Sequence, residues 1–286
     1  MTILNRDNFK KILLYGALTL GVIVAVWMAS YVPNADWFAT FDPAARGFLQ
    51  GRSPYAQHFV LIPPWGILVL VPFVLFPPNI ARGLVLVASL SVFIYTGWRL
   101  HAPKIAMIVL LISPTAIGSL LSGNLDAFVL AGIFLPPLWG LFFLMIKPQV
   151  GIGVAIYYLT QTWQSNKWIG IIRTFSPIIF AYIISGFLFP VWINRMISKP
   201  LDVWNRSIFP YGIPLGLFFL WLAVKRRNVF FALAAAPFLS PYLTFYTYLM
   251  VQIGLLHEDV EKVLRRDVLQ IILCVFLWTI MLFFRL

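Results

Sequence analysis

The sequence predicts an all-α fold: a polytopic integral membrane helix bundle of roughly ten or eleven transmembrane segments. Three observations predict it. Of 286 residues, 61% are hydrophobic and only 10% are charged, whereas a soluble domain carries about 25% charged residues. Mean hydropathy is +0.91. Apolar runs approaching the ~20 residues that cross a bilayer recur along the whole chain. No room is left for a separate soluble domain, so residues 1–286 read as one domain.

In order, the predicted crossings are 12–32, 62–77, 80–98, 104–121, 125–138, 140–160, 169–190, 210–224, 228–240, 243–256 and 268–284. The first follows a basic flank (Arg6, Lys10, Lys11). It is longer than a signal-peptide core and no small-residue cleavage pattern follows it, so it reads as a retained signal anchor. Lysine and arginine then set the orientation. With the N-terminus cytoplasmic, the inner side receives the larger share, including Arg82 and the Lys225-Arg226-Arg227 cluster. Arg99 and Lys104 fall outside, as do two polar loops, 33–61 and 191–209. The expected location is a multi-pass protein of the cell membrane.

The first loop organises the chain. Within it, Trp37, Phe38, Phe41, Ala44, Ala45, Phe48 and Leu49 fall on one face at helical spacing, which predicts a short interfacial helix over 37–50. Asp36 caps or precedes it, Gly51 ends it, and Ser53-Pro54-Tyr55 turns the chain. Pro63 and Pro64 open the next helix.

Net charge is +12, but the basic residues are scattered among apolar spans rather than clustered on one solvated face, which argues against nucleic acid. Anionic lipid headgroups and a phosphate-bearing substrate suit such charges better. The one cysteine, Cys274, excludes an intrachain disulfide and argues against structural zinc. No histidine pair is spaced for a metal, and neither a Walker loop nor a dinucleotide fingerprint is present.

Several polar residues carry two readings each. Asp36 is a helix cap or a general base at the membrane boundary, taking a proton from a sugar hydroxyl that attacks an anomeric carbon. Asp42 is a partner of Arg46 at i+4 or the alternative base. Ser122-Gly123-Asn124-Leu125-Asp126 reads as a tight inner turn. Lys147, followed by Pro148 and Gln149, lies inside an apolar run and must face a cavity or a partner such as Asp126. Arg46, Arg52, Arg195 and Arg206 are candidates for a phosphate, which the planar guanidinium meets with paired hydrogen bonds. Tyr55, His58 and Tyr242 complete the candidate binding set; an interfacial histidine and an aromatic belt are the plainer readings of the last two.

The ordered set Asp36, Phe41, Ala44-Ala45, Gly51-x-Ser53-Pro54-Tyr55, Pro63-Pro64, Gly123-Asn124, Lys147-Pro148-Gln149 and Ser240-Pro241 resembles the membrane glycosyltransferases of family 87. These include polyprenyl-phosphate-mannose-dependent mannosyltransferases of the GT-C type. The resemblance covers about residues 30–250. It implies a hexose donor on a polyprenyl phosphate, a glycolipid or glycan acceptor, inversion at the anomeric carbon, an outward-facing site and Asp36 as the catalytic aspartate. No cofactor is implied, and a metal is not required. Two positions depart from the family pattern. Phe41 and Asp42 stand where a tyrosine pair is frequent, and Tyr242 and Tyr246 follow the Ser-Pro step where a histidine is frequent. The rival expectation is a non-enzymatic transporter or flippase of a lipid-linked or anionic solute, or an inactive accessory subunit.

Overall fold

The computed structural model describes residues 36–56, 60–198 and 204–284, and helices joined by turns are the regular structure among them, with no strand. The predicted first crossing, 12–32, lies outside the described residues, as does His58. A short π-helical turn, Trp37–Phe41, leads into α1 (Asp42–Leu49). Then follow α2 (Pro64–Leu68), α3 (Val71–Val74), α4 (Pro78–Arg99), α5 (Lys104–Leu111), α6 (Pro114–Ser122), α7 (Asp126–Ala131) and α8 (Pro137–Leu144). The second half holds α9 (Pro148–Leu188), α10 (Pro190–Ser198), α11 (Ile213–Arg226), α12 (Val229–Leu239), α13 (Leu249–Gly254) and α14 (Arg266–Phe284).

Among the described residues three helices, α4, α9 and α14, are long and apolar enough to cross a membrane, or four spans if the bent pair α5–α6 counts as one. That is fewer than the run of crossings the sequence predicts, and the breaks have identifiable causes. Proline lacks an N–H and ends the preceding helix. Pro72 and the turn before it split 62–77 into α2 and α3. Ser113-Pro114 bends 104–121 by 55°. Pro136-Pro137 divides 125–138 from its continuation, and Lys147-Pro148 divides 140–160.

Hydrogen bonds and ring contacts define two ends of the molecule. Asp36 meets Asn124 and Tyr246 at one end, the site end. At the far end Arg266 donates to the Leu100 carbonyl at 3.1 Å, and Phe230 packs against both Phe134 and His257. Successive helices run between these ends. The stretch 62–77 does not: Arg46 Nη2 donates to the Phe76 carbonyl at 2.5 Å, so α2 and α3 leave the first loop and return to it. This overturns 62–77 as a crossing. The turn 122–126 and Arg82 lie at the end where Asp36 sits, and Leu100, which follows Arg99, lies at the opposite end, whereas the sequence reading sets Arg82 on the side away from Asp36.

The 41-residue α9 is itself folded back. Lys167 has φ 50° and ψ −140°, outside the helical region. A straight helix would hold Tyr182 about 55 Å from Met145 at 1.5 Å per residue. Instead the Tyr182 hydroxyl donates to the Met145 carbonyl at 3.1 Å. Two antiparallel legs therefore meet near Lys167, where Trp163 and Trp168 pack edge to face at 5.1 Å. Close helix approach elsewhere depends on glycine: a Cβ on Gly153 of α9 would lie 2.1 Å from the Ala232 carbonyl of α12.

Candidate functional site

Four separate stretches converge on Asp36. The first is the π-helical turn, which buries Trp37 and Phe41 and leaves Asp36 partly exposed at its start. The Asp36 carboxylate does not cap that turn. Its Oδ2 accepts from Asn124 Nδ2 at 2.7 Å and from the Tyr246 hydroxyl at 2.5 Å. No described residue donates to Oδ1.

Asn124 is presented by the turn after α6. Gly123 adopts the left-handed conformation (φ 70°) that ends this helix, a conformation that favours glycine. A Cβ at Gly123 would also stand 2.8 Å from Trp37 Cβ, so glycine lets the two loops touch. The side-chain amide then bridges opposite groups. Its Nδ2 serves Asp36 and the Tyr246 oxygen, and its Oδ1 accepts from Lys147 Nζ at 2.7 Å.

Lys147 is buried at the N-terminus of α9 and forms an ion pair with Asp126, which is fully buried. Thr247 Oγ1 donates to the second oxygen of Asp126 at 3.3 Å. The ammonium also lies 5.5 Å from the centre of the Tyr246 ring. A buried ammonium is tolerable only with such compensation. The network runs Asp36–Asn124–Lys147–Asp126–Thr247, with Tyr246 closing it.

Tyr242 and Tyr246 sit outside the long helices. Burial, and then the neighbouring Asp36 charge, push the Tyr246 phenol well above its ordinary value, and the same two causes raise Tyr242. Both hydroxyls therefore stay protonated, and that of Tyr246 stays a donor to Asp36.

Other residues singled out from the sequence are placed differently. Asp42 is buried and bound by Arg46, whose Nε lies 2.9 and 3.0 Å from its two oxygens, as the i+4 reading has it. Arg52 is exposed and donates to Gln50. Tyr55 is buried, and its hydroxyl donates to the Ile62 carbonyl at 3.0 Å, a contact that folds the loop. Gln149 is half-buried in the first turn of α9, and Arg195 is half-buried on α10. Among the described residues no group of three metal-binding side chains occurs.

Arg206 lies at a second feature, an apolar groove of about 640 Å³ lined by Phe238, Phe245, Tyr248, Leu277 and Ile280. Its polar lining is Arg206 and Gln252, whose Oε1 accepts from Thr115 at 2.5 Å and Ser113 at 3.1 Å. One 3₁₀ turn, Phe245–Tyr248, separates groove from cluster, with Phe245 and Tyr248 facing the first and Tyr246 the second. Another concavity of about 580 Å³ adjoins Trp163 and Trp168 at the α9 reversal, away from Asp36.

Sequence reasoning missed Arg82, Tyr246 as a partner of Asp36, and the groove. A lone arginine in an apolar run was the available signal for the first. The second followed from nothing local, since Tyr246 lies 210 residues from Asp36. What fold and site define together is an all-helical chain with membrane-length apolar helices and a charged cluster buried at one end. No family model matches it, and neither a curated protein nor a solved structure does.

Proposed function

We propose that the chain is a membrane glycosyltransferase of the GT-C type, with Asp36 as general base. The donor is a hexose, mannose-like, on a polyprenyl phosphate; the acceptor is a glycolipid or glycan hydroxyl. The observation that carries this reading is the asymmetry of the Asp36 carboxylate. One oxygen is fixed by Asn124 and Tyr246, and the other receives no donor from a described residue. A base must be held rigidly and keep one oxygen for the proton it takes.

In this reaction the acceptor oxygen attacks the anomeric carbon from the face opposite the phosphate. The carbon–oxygen bond to the phosphate breaks, the configuration inverts, and the acceptor proton passes to Asp36 Oδ1. A lipid phosphate leaves without protonation and needs positive charge nearby. Arg206 beside an apolar groove supports this, because a polyprenyl chain suits the groove and a phosphate suits the guanidinium. Orientation belongs to the same proposal. Lys225, Arg226 and Arg227 end α11 at the far end, which favours that end as cytoplasmic and the site as outward-facing. The wider bundle of ten or eleven crossings requires the shorter helices and the residues before 36 to supply the additional spans.

The bent pair α5–α6 favours a second reading, transport of a lipid-linked anion, since broken helices recur in transporters. Transfer from radiolabelled polyprenyl-phosphate sugars in membranes separates the two. Wild type transfers sugar, and Asp36→Asn, inserted at the same level, loses about 10²–10⁴-fold in rate. Equal rates in the two would remove Asp36 as the base; label crossing the bilayer without transfer would establish the transporter.

A further inference from the structure

Arg82 is fully buried near the start of α4, a membrane-length helix. Charge in such a place is costly and calls for a partner. Its Nη2 donates to the Leu120 carbonyl at 3.0 Å and to that of Leu121, carbonyls in the last turn of α6. A cation at that end also suits the helix dipole. Its other donors, Nε and Nη1, are buried and have no partner among the described residues. Among the described residues no carboxylate lies within ion-pair distance of the guanidinium, and the nearest loop to it is the one that carries Asp36.

The neighbours explain why. Arg82 Nε lies 3.2 Å from where a Cβ on Gly123 would stand, and Trp37 Cβ lies 2.8 Å from the same point. Gly123 precedes Asn124, which holds Asp36 Oδ2, and Trp37 follows Asp36 itself. The guanidinium thus backs both segments that fix the carboxylate. Arg82 holds two buried cationic donors, without a partner among the described residues, against the segments that hold the Asp36 carboxylate. Lys147 does not fill this role, being paired with Asp126.

We propose that Arg82 is the positioning residue of Asp36: it clamps the end of α6, and so Asn124, while supplying the counter-charge to the carboxylate. This deepens the assignment of Asp36 as the working group, but its test needs no sugar transfer.

The test is a double-mutant cycle read by the thermal unfolding of detergent-purified protein, followed by native tryptophan fluorescence. Arg82→Gln, Asp36→Asn and the double variant are compared with wild type. Arg82→Gln lowers the Tm by on the order of 10 °C, and the loss is smaller in the Asp36→Asn background, because the uncompensated carboxylate has gone. An equal or larger loss there overturns the proposal, since a clamp on α6 alone is indifferent to the charge of residue 36. Should neither Gln variant be recovered folded, Arg82→Lys decides: it keeps the charge but not the two-carbonyl geometry. Recovery of folded Arg82→Lys supports the counter-charge; failure of the Lys variant as well overturns it. A cycle that shows coupling in a protein that transfers no sugar leaves this inference standing and removes the transferase reading alone.

Discussion

At the scale of single residues, Asp36 and its rival Asp42 have different surroundings. Asp42 is buried under Arg46, and both its oxygens are taken. Asp42→Asn should lower stability by roughly 1–3 kcal/mol, the worth of a hydrogen bond to a charged group, with little change in rate per folded molecule. A rate loss equal to that of Asp36→Asn, at unchanged stability, would restore Asp42 as the base. Lys147 is a different case. Breaking a buried pair leaves a naked charge, so Lys147→Met should destabilise by about 3–5 kcal/mol, and adding Asp126→Leu should return part of it. Chemical unfolding of the single and double variants measures both. The tyrosines bring in pH. Burial raises the phenols of Tyr55, Tyr242 and Tyr246 above their ordinary value of 10.0. A raised folded value means that the protonated form is favoured on folding. That stabilisation is complete below about pH 10 and is lost as pH climbs past it. Melting temperature should fall above pH 10, and less steeply in Tyr246→Phe; identical alkaline limbs would show that Tyr246 is not held protonated.

At the scale of elements, hydropathy marks where the chain is apolar but not how far each apolar run extends as one helix. The cap-and-stop signals were readable: Gly51 after α1, Gly123 after α6, proline at the start of α2. The first loop's apolar face was readable too, and Trp37, Phe41, Ala44 and Ala45 are buried. The reversal inside α9 falls in the polar break Gln161–Lys167, between the predicted crossings 140–160 and 169–190, where the sequence reading also turns the chain. Its backbone at Lys167 shows that the two legs fold back on each other. Spin labels at the exposed positions Ile152 and Ile184 test the reversal. A continuous helix separates them by about 48 Å, whereas the hairpin brings both toward the site end and well within that distance. Glycine supplies a second test. Gly153→Ala should destabilise by driving α9 from α12, while Gly47→Ala, with open space around it, should stabilise by roughly 0.5–1 kcal/mol through lower chain entropy.

At the scale of the whole molecule, eleven apolar runs predict strict alternation from one side to the other, whereas 62–77 forms two short helices whose end returns to Arg46 of the first loop. An apolar stretch of sixteen residues containing Pro63, Pro64 and Pro72 is long enough to count as a crossing and too interrupted to be one. The sequence reading sets Arg82 opposite Asp36, whereas Arg82 and Trp37, the neighbour of Asp36, both lie against Gly123. The candidate site was legible only as fragments, because Asp36, Asn124, Lys147 and Tyr246 meet through contacts that no local pattern encodes. The corrected topology makes its own prediction. The first loop, the 122–126 turn and the segment before α11 share one end, and Leu100, Arg227 and His257 share the other. Replacing Cys274 by Ser and placing single cysteines at Ser53, Tyr211 and Arg227 tests this with an impermeant thiol reagent on intact cells. Ser53→Cys and Tyr211→Cys should label from outside, and Arg227→Cys only after permeabilisation, because the positive cluster at Lys225–Arg227 resists translocation. Labelling of all three from outside would refute the two-ended arrangement. The reverse pattern would keep the arrangement and turn the site toward the cytoplasm, where a cytoplasmic sugar donor would replace the outward-facing lipid phosphate.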